Sequence, residues 1–159
     1  MIFDKLRSRN GHRSDAKLVA EIREALRGYA PLYATAPPIQ MEVVDGVATL
    51  RGVVRGVALR HAAGQLAATV PGVESVRNEL RDDLSIERAV AQAMATYPPD
   101  RLPTDVVRIK SYHGEVTLTG QVSSQTQQMA AEAVARSVPG VSEVVNALVV
   151  SPEGNGHLR

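Results

Sequence analysis

Two similar stretches decide the fold of this chain: residues 46–80 read GVATLRGVVRGVALRHAAGQLAATVPGVESVRNEL, and residues 114–148 read GEVTLTGQVSSQTQQMAAEAVARSVPGVSEVVNAL. They align without a gap at an offset of 68 residues and are identical at 15 of 35 positions. Chance does not place Gly and Pro at the same positions of both stretches. The chain therefore contains an internal repeat.

The same offset continues upstream, where it pairs Leu18 with Ile86 and Ile22 with Val90. Because both copies carry the whole pattern at one spacing, we expect two small domains with almost no linker between them. The predicted organisation is a flexible basic tail at 1–14, a first domain at 15–82, a second domain at 83–150 and a flexible tail at 151–159.

Each copy begins with apolar residues at helical spacing, which predicts a helix that ends near Tyr29 in the first copy and near Tyr97 in the second. Pro31 is expected to stop the first of these helices. Short polar side chains before each helix can accept hydrogen bonds from its first-turn amides. The expected N-cap residues are Ser14 or Asp15 in the first copy and Asp83 or Ser85 in the second.

The next segment of each copy predicts a β-hairpin followed by a helix and a last strand. The pairs Asp45, Gly46 and His113, Gly114 stand at the expected tight turns, where backbone φ is positive. Ala-rich helices are predicted at 57–70 and 125–138, and closing strands at 73–80 and 141–150. The expected fold class is α+β, with two tandem αββαβ units, each a small three-stranded sheet covered by two helices.

A helix, a hairpin reading G-x-x-T-L-x-G, an Ala-rich helix and a closing V-P-G-V-x-x-V-x-N together resemble the BON domain family of bacterial envelope and stress proteins. The resemblance covers residues 15–150. It implies a non-enzymatic module that attaches to phospholipid or other anionic surfaces. The family also has cytosolic members, one type of which binds potassium.

The residues that carry this pattern are predicted to serve the fold. Gly in a strand marks a bend or a close approach of another element, and Asn side chains can bond neighbouring backbone groups. This structural set comprises Gly46, Gly52, Pro71, Gly72 and Asn78, with Gly114, Gly120, Pro139, Gly140 and Asn146 in the second copy.

The two copies differ in charge. Residues 1–82 contain 12 basic and 9 acidic side chains, and residues 83–159 contain 6 and 8. Guanidinium groups beside a helix N-terminus can hold phosphate through paired donors. The candidate site for an anionic headgroup is Arg51, Arg55, Arg60 and His61, which stand opposite Thr119, Ser123, Gln128 and Met129; the alternative is that these are solvated surface charges.

Catalysis, cofactors and metals are not expected. The chain has no Cys, and its four His show neither i, i+4 pairing nor a carboxylate at ligand spacing. Asp105, Ser111 and His113 lie close in sequence, but no nucleophile elbow accompanies them, which argues against hydrolysis. Nucleic-acid binding is disfavoured because aromatic residues are only 3% and the net charge is +1.

The expected partners are an anionic phospholipid surface or an envelope or stress-related protein. No apolar run is long enough to span a bilayer, and the first residues do not read as a secretory signal. We therefore expect a cytoplasmic protein, peripheral at the inner membrane surface. The second hypothesis is a cytosolic sensor of an ion or another small ligand.

Overall fold

The computed structural model describes residues 14–33, 39–97, 102 and 106–151. The predicted tails lie outside the described residues, apart from Ser14 and Ser151. The chain divides into two compact units, Met1–Leu80 and Arg81–Arg159. The repeat copy at the start of the chain is called the first copy below, and its partner 68 residues on is called the second copy.

The first copy has three strands and two long helices. Its sheet has the strand order β1-β2-β3, so β2 is central. The antiparallel hairpin pairs Met41 with Leu50 and Val43 with Ala48. The elements are α1 (Asp15–Arg27), a single turn α2 (Ala30–Tyr33), β1 (Gln40–Val44), β2 (Val47–Val54), α3 (Val57–Ala68) and β3 (Ser75–Asp82).

The second copy repeats this architecture. Its strands β4 and β5 are antiparallel, whereas β5 and β6 are parallel, so the connection between them crosses through a helix. The order is β4-β5-β6. The elements are α4 (Asp83–Ala95), β4 (Val107–Tyr112), β5 (Glu115–Val122), α5 (Gln125–Ser137) and β6 (Glu143–Val150). The predicted α+β class, with two tandem three-stranded units, is confirmed.

Helices cover one face of each sheet, because alternate strand residues are apolar and point to that side. In the first copy the buried residues include Ile22 and Leu26 of α1, Leu50 of β2 and Ala63 of α3. The opposite face of each sheet is called its open face below. It carries the alternate residues, which are polar in most positions.

Both predicted hairpin turns are present. Asp45 and His113 have φ angles of 49° and 51°, and the glycines that follow, Gly46 and Gly114, have 78° and 84°. Positive φ at both central residues is the geometry that matches the twist of the flanking strands. The sequence pairs Asp-Gly and His-Gly therefore serve the same turn.

The predicted start of the α4 helix needs correction. Ser14 caps α1 as expected, but the N-cap of α4 is Asp82 rather than Asp83 or Ser85. The Oδ1 of Asp82 accepts a hydrogen bond from the Ser85 amide at 3.0 Å. Strand β3 ends at Asp82 and α4 begins at the next residue, so the last residue of the strand also caps the helix.

Pro31 does not end the helical region of the first copy. Helix α1 ends earlier, at Arg27, and Pro31 occupies the second position of the short turn α2. Proline fits the first turn of a helix because the amides there have no intrahelical acceptor. The proline therefore shapes a new turn rather than stopping the old one.

Candidate functional site

The two motif asparagines hold the helix to the sheet edge. The side-chain amide of Asn78 donates to the carbonyl of Arg60 at 2.8 Å, and its oxygen accepts from the Leu80 amide at 3.3 Å. Asn146 makes the same bonds to Gln128 and Leu148, at 2.9 and 3.3 Å. The side-chain oxygen of each asparagine thus accepts from a backbone amide of the last strand that points away from the sheet.

The glycine in the centre of each middle strand is required by the backbone. Gly52 and Gly120 have φ angles of 135° and 128°, a region that side chains rarely adopt. A Cβ on Gly120 would collide with the backbone carbonyl of Val106. The close neighbour is therefore the chain that enters β4, and these glycines serve the fold.

Of the four predicted headgroup ligands, Arg51 lies apart from the others. It stands on the open face of β2, where its guanidinium is 2.8 Å from a carboxylate oxygen of Glu79 and 3.4 Å from one of Glu42. The hydrogen bond that Arg51 donates to Glu79, and then the charge of that carboxylate, raise the pKa of Arg51 above its ordinary value. Two carboxylates already neutralise this cation, so Arg51 itself offers little to an anion.

The other three residues lie around the start of α3. Arg55 is exposed in the bend between β2 and α3, and Arg60 and His61 follow in the second turn of the helix. Side chains of a helix lean toward its N-terminus, so the last two tilt back toward Arg55. The structure thus brings Arg55, Arg60 and His61 to one helix end and leaves Arg51 on the other side of the sheet.

The start of α3 differs from that of the other long helices. Ser14, Asp82 and Ser124 cap α1, α4 and α5 through side-chain oxygens that accept from a first-turn amide. The N-cap of α3 is Gly56, which makes no side-chain cap bond, and no acidic residue stands in the first turn. The first-turn amides of α3 therefore face outward without a side-chain acceptor of this kind.

Two small depressions lie on the described surface. One of about 170 Å³ is lined by residues that include Arg51 and Glu42, and one of about 210 Å³ lies over Met129 and Arg136. Both volumes are below the range typical of small-molecule sites, about 300–1,000 Å³. Within the described ranges, no three His, Asp or Glu side chains are grouped closely enough to bind a metal ion.

The candidate hydrolytic residues have structural partners. Asp105 lies outside the described residues. The hydroxyl of Ser111 donates to Oδ1 of Asp83 at 2.7 Å, and the ring of His113 packs edge-on against Tyr112 with centroids 4.4 Å apart. The carboxylate of Asp83 also accepts from the amides of His113 and Gly114. This group fastens α4 to the β4–β5 turn.

One surface was missed by the sequence analysis. On the open face of β6, Val145 and Val149 are 42% and 59% exposed, and Ala147 between them is also exposed. The signal was present in the sequence, because the outward positions of SVRNELRD in β3 carry charged residues whereas those of EVVNALVV in β6 are mostly apolar. None of the described helices is long and apolar enough to cross a bilayer.

Comparison with known proteins agrees with this architecture. The chain is 29% identical over 148 residues to osmotically-inducible protein Y of Escherichia coli strain K12, which covers 84% of this chain and 71% of that protein. The solved structure of CdsD, a structural protein of the type III secretion system of Chlamydia trachomatis, matches with a TM-score of 0.62. That match has 15% sequence identity and covers 84% of this chain, so it supports the fold alone.

The chain spans about three-fifths of the CdsD structure, 61% of its length. The family model of the BON domain matches this chain twice, at residues 14–81 and 82–152. These two matches cover almost all described residues and coincide with the repeated αββαβ unit. The chain therefore belongs to the BON domain family, of which it carries two tandem copies.

Proposed function

We propose that this protein is a non-catalytic binding module whose first copy attaches to anionic phospholipid headgroups at the N-terminal end of α3. The observation that carries the proposal is the start of that helix, which has no side-chain cap and stands next to Arg55. First-turn amides without a side-chain cap and a guanidinium group together provide donors and positive charge for phosphate. Arg60 and His61 add positive or titratable groups one turn further on.

Apolar exposure at the same helix end favours a lipid surface over free phosphate. Val57, the first residue of α3, is 42% exposed, and Ala58 beside it is exposed as well. A basic group with adjacent apolar side chains can bind the headgroup while the apolar atoms enter the interface. Arg51 is not part of this proposed site, since it lies on the open face of β2 and not at the start of α3.

The name of the Escherichia coli relative favours a role in osmotic stress, a condition that acts directly on membranes. The absence of a matching basic group in the second copy supports a division of labour. There, Ser123 and Gln128 replace Arg55 and Arg60, and Ser124 caps the helix. The two copies thus share a fold but differ at this helix end.

Vesicle flotation tests the proposal. The full chain is expected to float with vesicles that contain phosphatidylglycerol and not with phosphatidylcholine alone. The variant R55S/R60Q installs the residues of the second copy, so its fold should be preserved. Because each cation near an anionic surface contributes about 1 kcal/mol, this variant should bind at least about tenfold more weakly.

The matched control is R23Q/R27Q, which removes the same charge from exposed positions of α1 in the same copy. It should float like the wild type. Equal flotation of R55S/R60Q and wild type would contradict the proposal. So would an equal loss in the α1 variant, because the effect would then reflect net charge and not this site.

A further inference from the structure

The open face of the second copy carries an apolar row that the fold does not require. At the positions that match Val145, Ala147 and Val149, the first copy has Arg77, Glu79 and Arg81. The core-side residues between them are the same in both strands, namely Val, Asn and Leu. Since one copy folds with charges at these positions, the valines of the other are not needed for folding. Exposed apolar rows of this kind mark contact surfaces.

The rest of this face has an ordered charge pattern. The strand register sets Arg108 beside Thr119 and Ala147, and Lys110 beside Thr117 and Val145. In these two rows, basic residues therefore occupy one edge strand, threonines the centre and apolar residues the other edge, whereas the next row consists of Tyr112, Glu115 and Glu143. The side chain of Lys110 is 81% exposed, with Glu87 at 3.9 Å. A complementary partner must be apolar on one side and acidic on the other.

We infer that this open face binds an amphipathic helix of another protein, with its apolar side over β6 and carboxylates over Arg108 and Lys110. Strands two positions apart are about 10 Å from each other, which matches the 10–12 Å width of a helix. Val145 and Val149 are about 13 Å apart along the strand, the length of roughly two and a half helical turns. The helix would cover a sheet face that is bare on this side.

The outer edge of β6 is a poorer docking place than its face. The amide of Leu148 donates to Asn146, and its carbonyl accepts from the side chain of Gln128 at 2.7 Å. An added strand would find both backbone groups of Leu148 already bonded. Side-chain packing on the open face is therefore the accessible mode of binding.

Another molecule of the same chain fits this face less well. Stacking two such faces with β6 over β6 would bring Lys110 and Arg108 of one molecule against the same cations of the other. Stacking them with β6 over β4 would set the valines against those cations. Like charges in close contact oppose association, so the partner is expected to be a different protein.

An anionic membrane also fits less well. Glu115 and Glu143 are neighbours on the same face, one row beyond Thr117 and Val145. Their carboxylates would meet the headgroups in the same plane as the valines, and like charges repel. The inference is therefore independent of the lipid site proposed at α3.

Photo-crosslinking in cells of the source organism tests the inference. The probe is p-benzoylphenylalanine placed at Ala147 of the full chain, and the matched control carries it at Glu79. Crosslinks from position 147 are expected to map, by mass spectrometry, to a segment with apolar residues at helical spacing and acidic residues on one flank. Crosslinks to lipid, to the chain itself or to a segment without that pattern would overturn the inference, as would a yield no higher than at position 79.

Two variants carrying the probe sharpen the result. V145R/V149R installs the charges of the first copy, so the sheet should form normally while the crosslink falls at least tenfold. R108E/K110E reverses the basic edge and leaves the apolar row intact, and it should lower the yield to a similar degree. An undiminished crosslink in V145R/V149R would refute the apolar contact. An undiminished crosslink in R108E/K110E would refute the contact with acidic residues of the partner. Circular dichroism of both variants checks that they fold.

Discussion

The carboxylate of Asp83 accepts hydrogen bonds from three donors of the β4–β5 hairpin, at 2.7 to 3.1 Å. It does so from the first residue of a helix, so one side chain joins the start of α4 to a turn 30 residues away in sequence. The neighbouring Asp82 uses its own carboxylate to cap the helix. Adjacent residues of the same type therefore have different structural roles.

Replacing Asp83 with Ala should destabilise the second copy by about 2–3 kcal/mol, because it leaves buried turn amides and the Ser111 hydroxyl without their acceptor. The measurement is amide hydrogen exchange, in β4 and β5 for this variant and in β1 and β2 for the control. The control is D15A at the matching position of the first copy, where a partly exposed first-turn acid should contribute less than about 1 kcal/mol. Similar losses in both variants would contradict a special role for Asp83.

Glu132 provides a pH-dependent contribution to the second copy. The hydrogen bond from Asn146, followed by that from Arg136, lowers the pKa of Glu132 below its ordinary value of 4.5. A depressed folded pKa adds stability above the unfolded pKa and loses it as pH falls through the folded value. Carbon-detected NMR titration should therefore give Glu132 a pKa below 4.5, and N146A should raise it. A titration midpoint that N146A does not move would show that Asn146 is not the main cause.

At the scale of elements, the central strand of each copy depends on a glycine. Gly120 lets β5 adopt a φ of 128° and lets the chain at Val106 pass close by. The strand residues on either side, Thr119 and Gln121, keep their pairing with β6. The bend is thus accommodated without a break in the sheet.

G120A should destabilise the second copy by more than about 2 kcal/mol, since it adds both backbone strain and a collision with Val106. G56A is the control, because a Cβ at Gly56 meets nothing within 4 Å. Thermal unfolding compares the two variants. A G120A protein that melts with the wild type would mean that the strand can relax around the new methyl group.

Local chemistry explains which elements could be predicted. The turns at Gly46 and Gly114 and the helical spacing around Ile22 follow from neighbouring residues, and both were predicted. The cap at Asp82 was missed because it depends on the strand that ends there. The pairing of Arg51 was also missed, since Glu79 is 28 residues away and only the sheet register brings the two together.

At the scale of the whole molecule, two copies of one fold carry opposite surface chemistry. The open face of the first has the paired charges of Glu42, Arg51 and Glu79, whereas that of the second has valines beside Arg108 and Lys110. The matching helices α3 and α5 also differ: α3 of the first copy begins without a side-chain cap, whereas Ser124 caps α5 of the second copy. Divergence between copies therefore locates candidate contacts better than similarity does.

The proposed attachment at α3 should weaken as salt rises. Flotation of the full chain with phosphatidylglycerol vesicles is expected to fall several-fold as ionic strength increases, because the Debye length shrinks from about 10 Å at 0.1 M to 3 Å at 1 M. The R55S/R60Q variant should show a smaller dependence. Flotation that salt does not alter would indicate attachment through apolar contacts instead.

The asparagine at each sheet edge has a consequence for the assembly of tandem domains. Neighbouring copies of similar sequence risk exchanging strands while they fold, and such domain swapping is a known failure of repeat proteins. The amides of Leu80 and Leu148 donate to the side-chain oxygens of Asn78 and Asn146, so at each edge one amide that a foreign strand could use is already bonded. We therefore expect this edge of each sheet to resist pairing with a strand of a neighbouring copy.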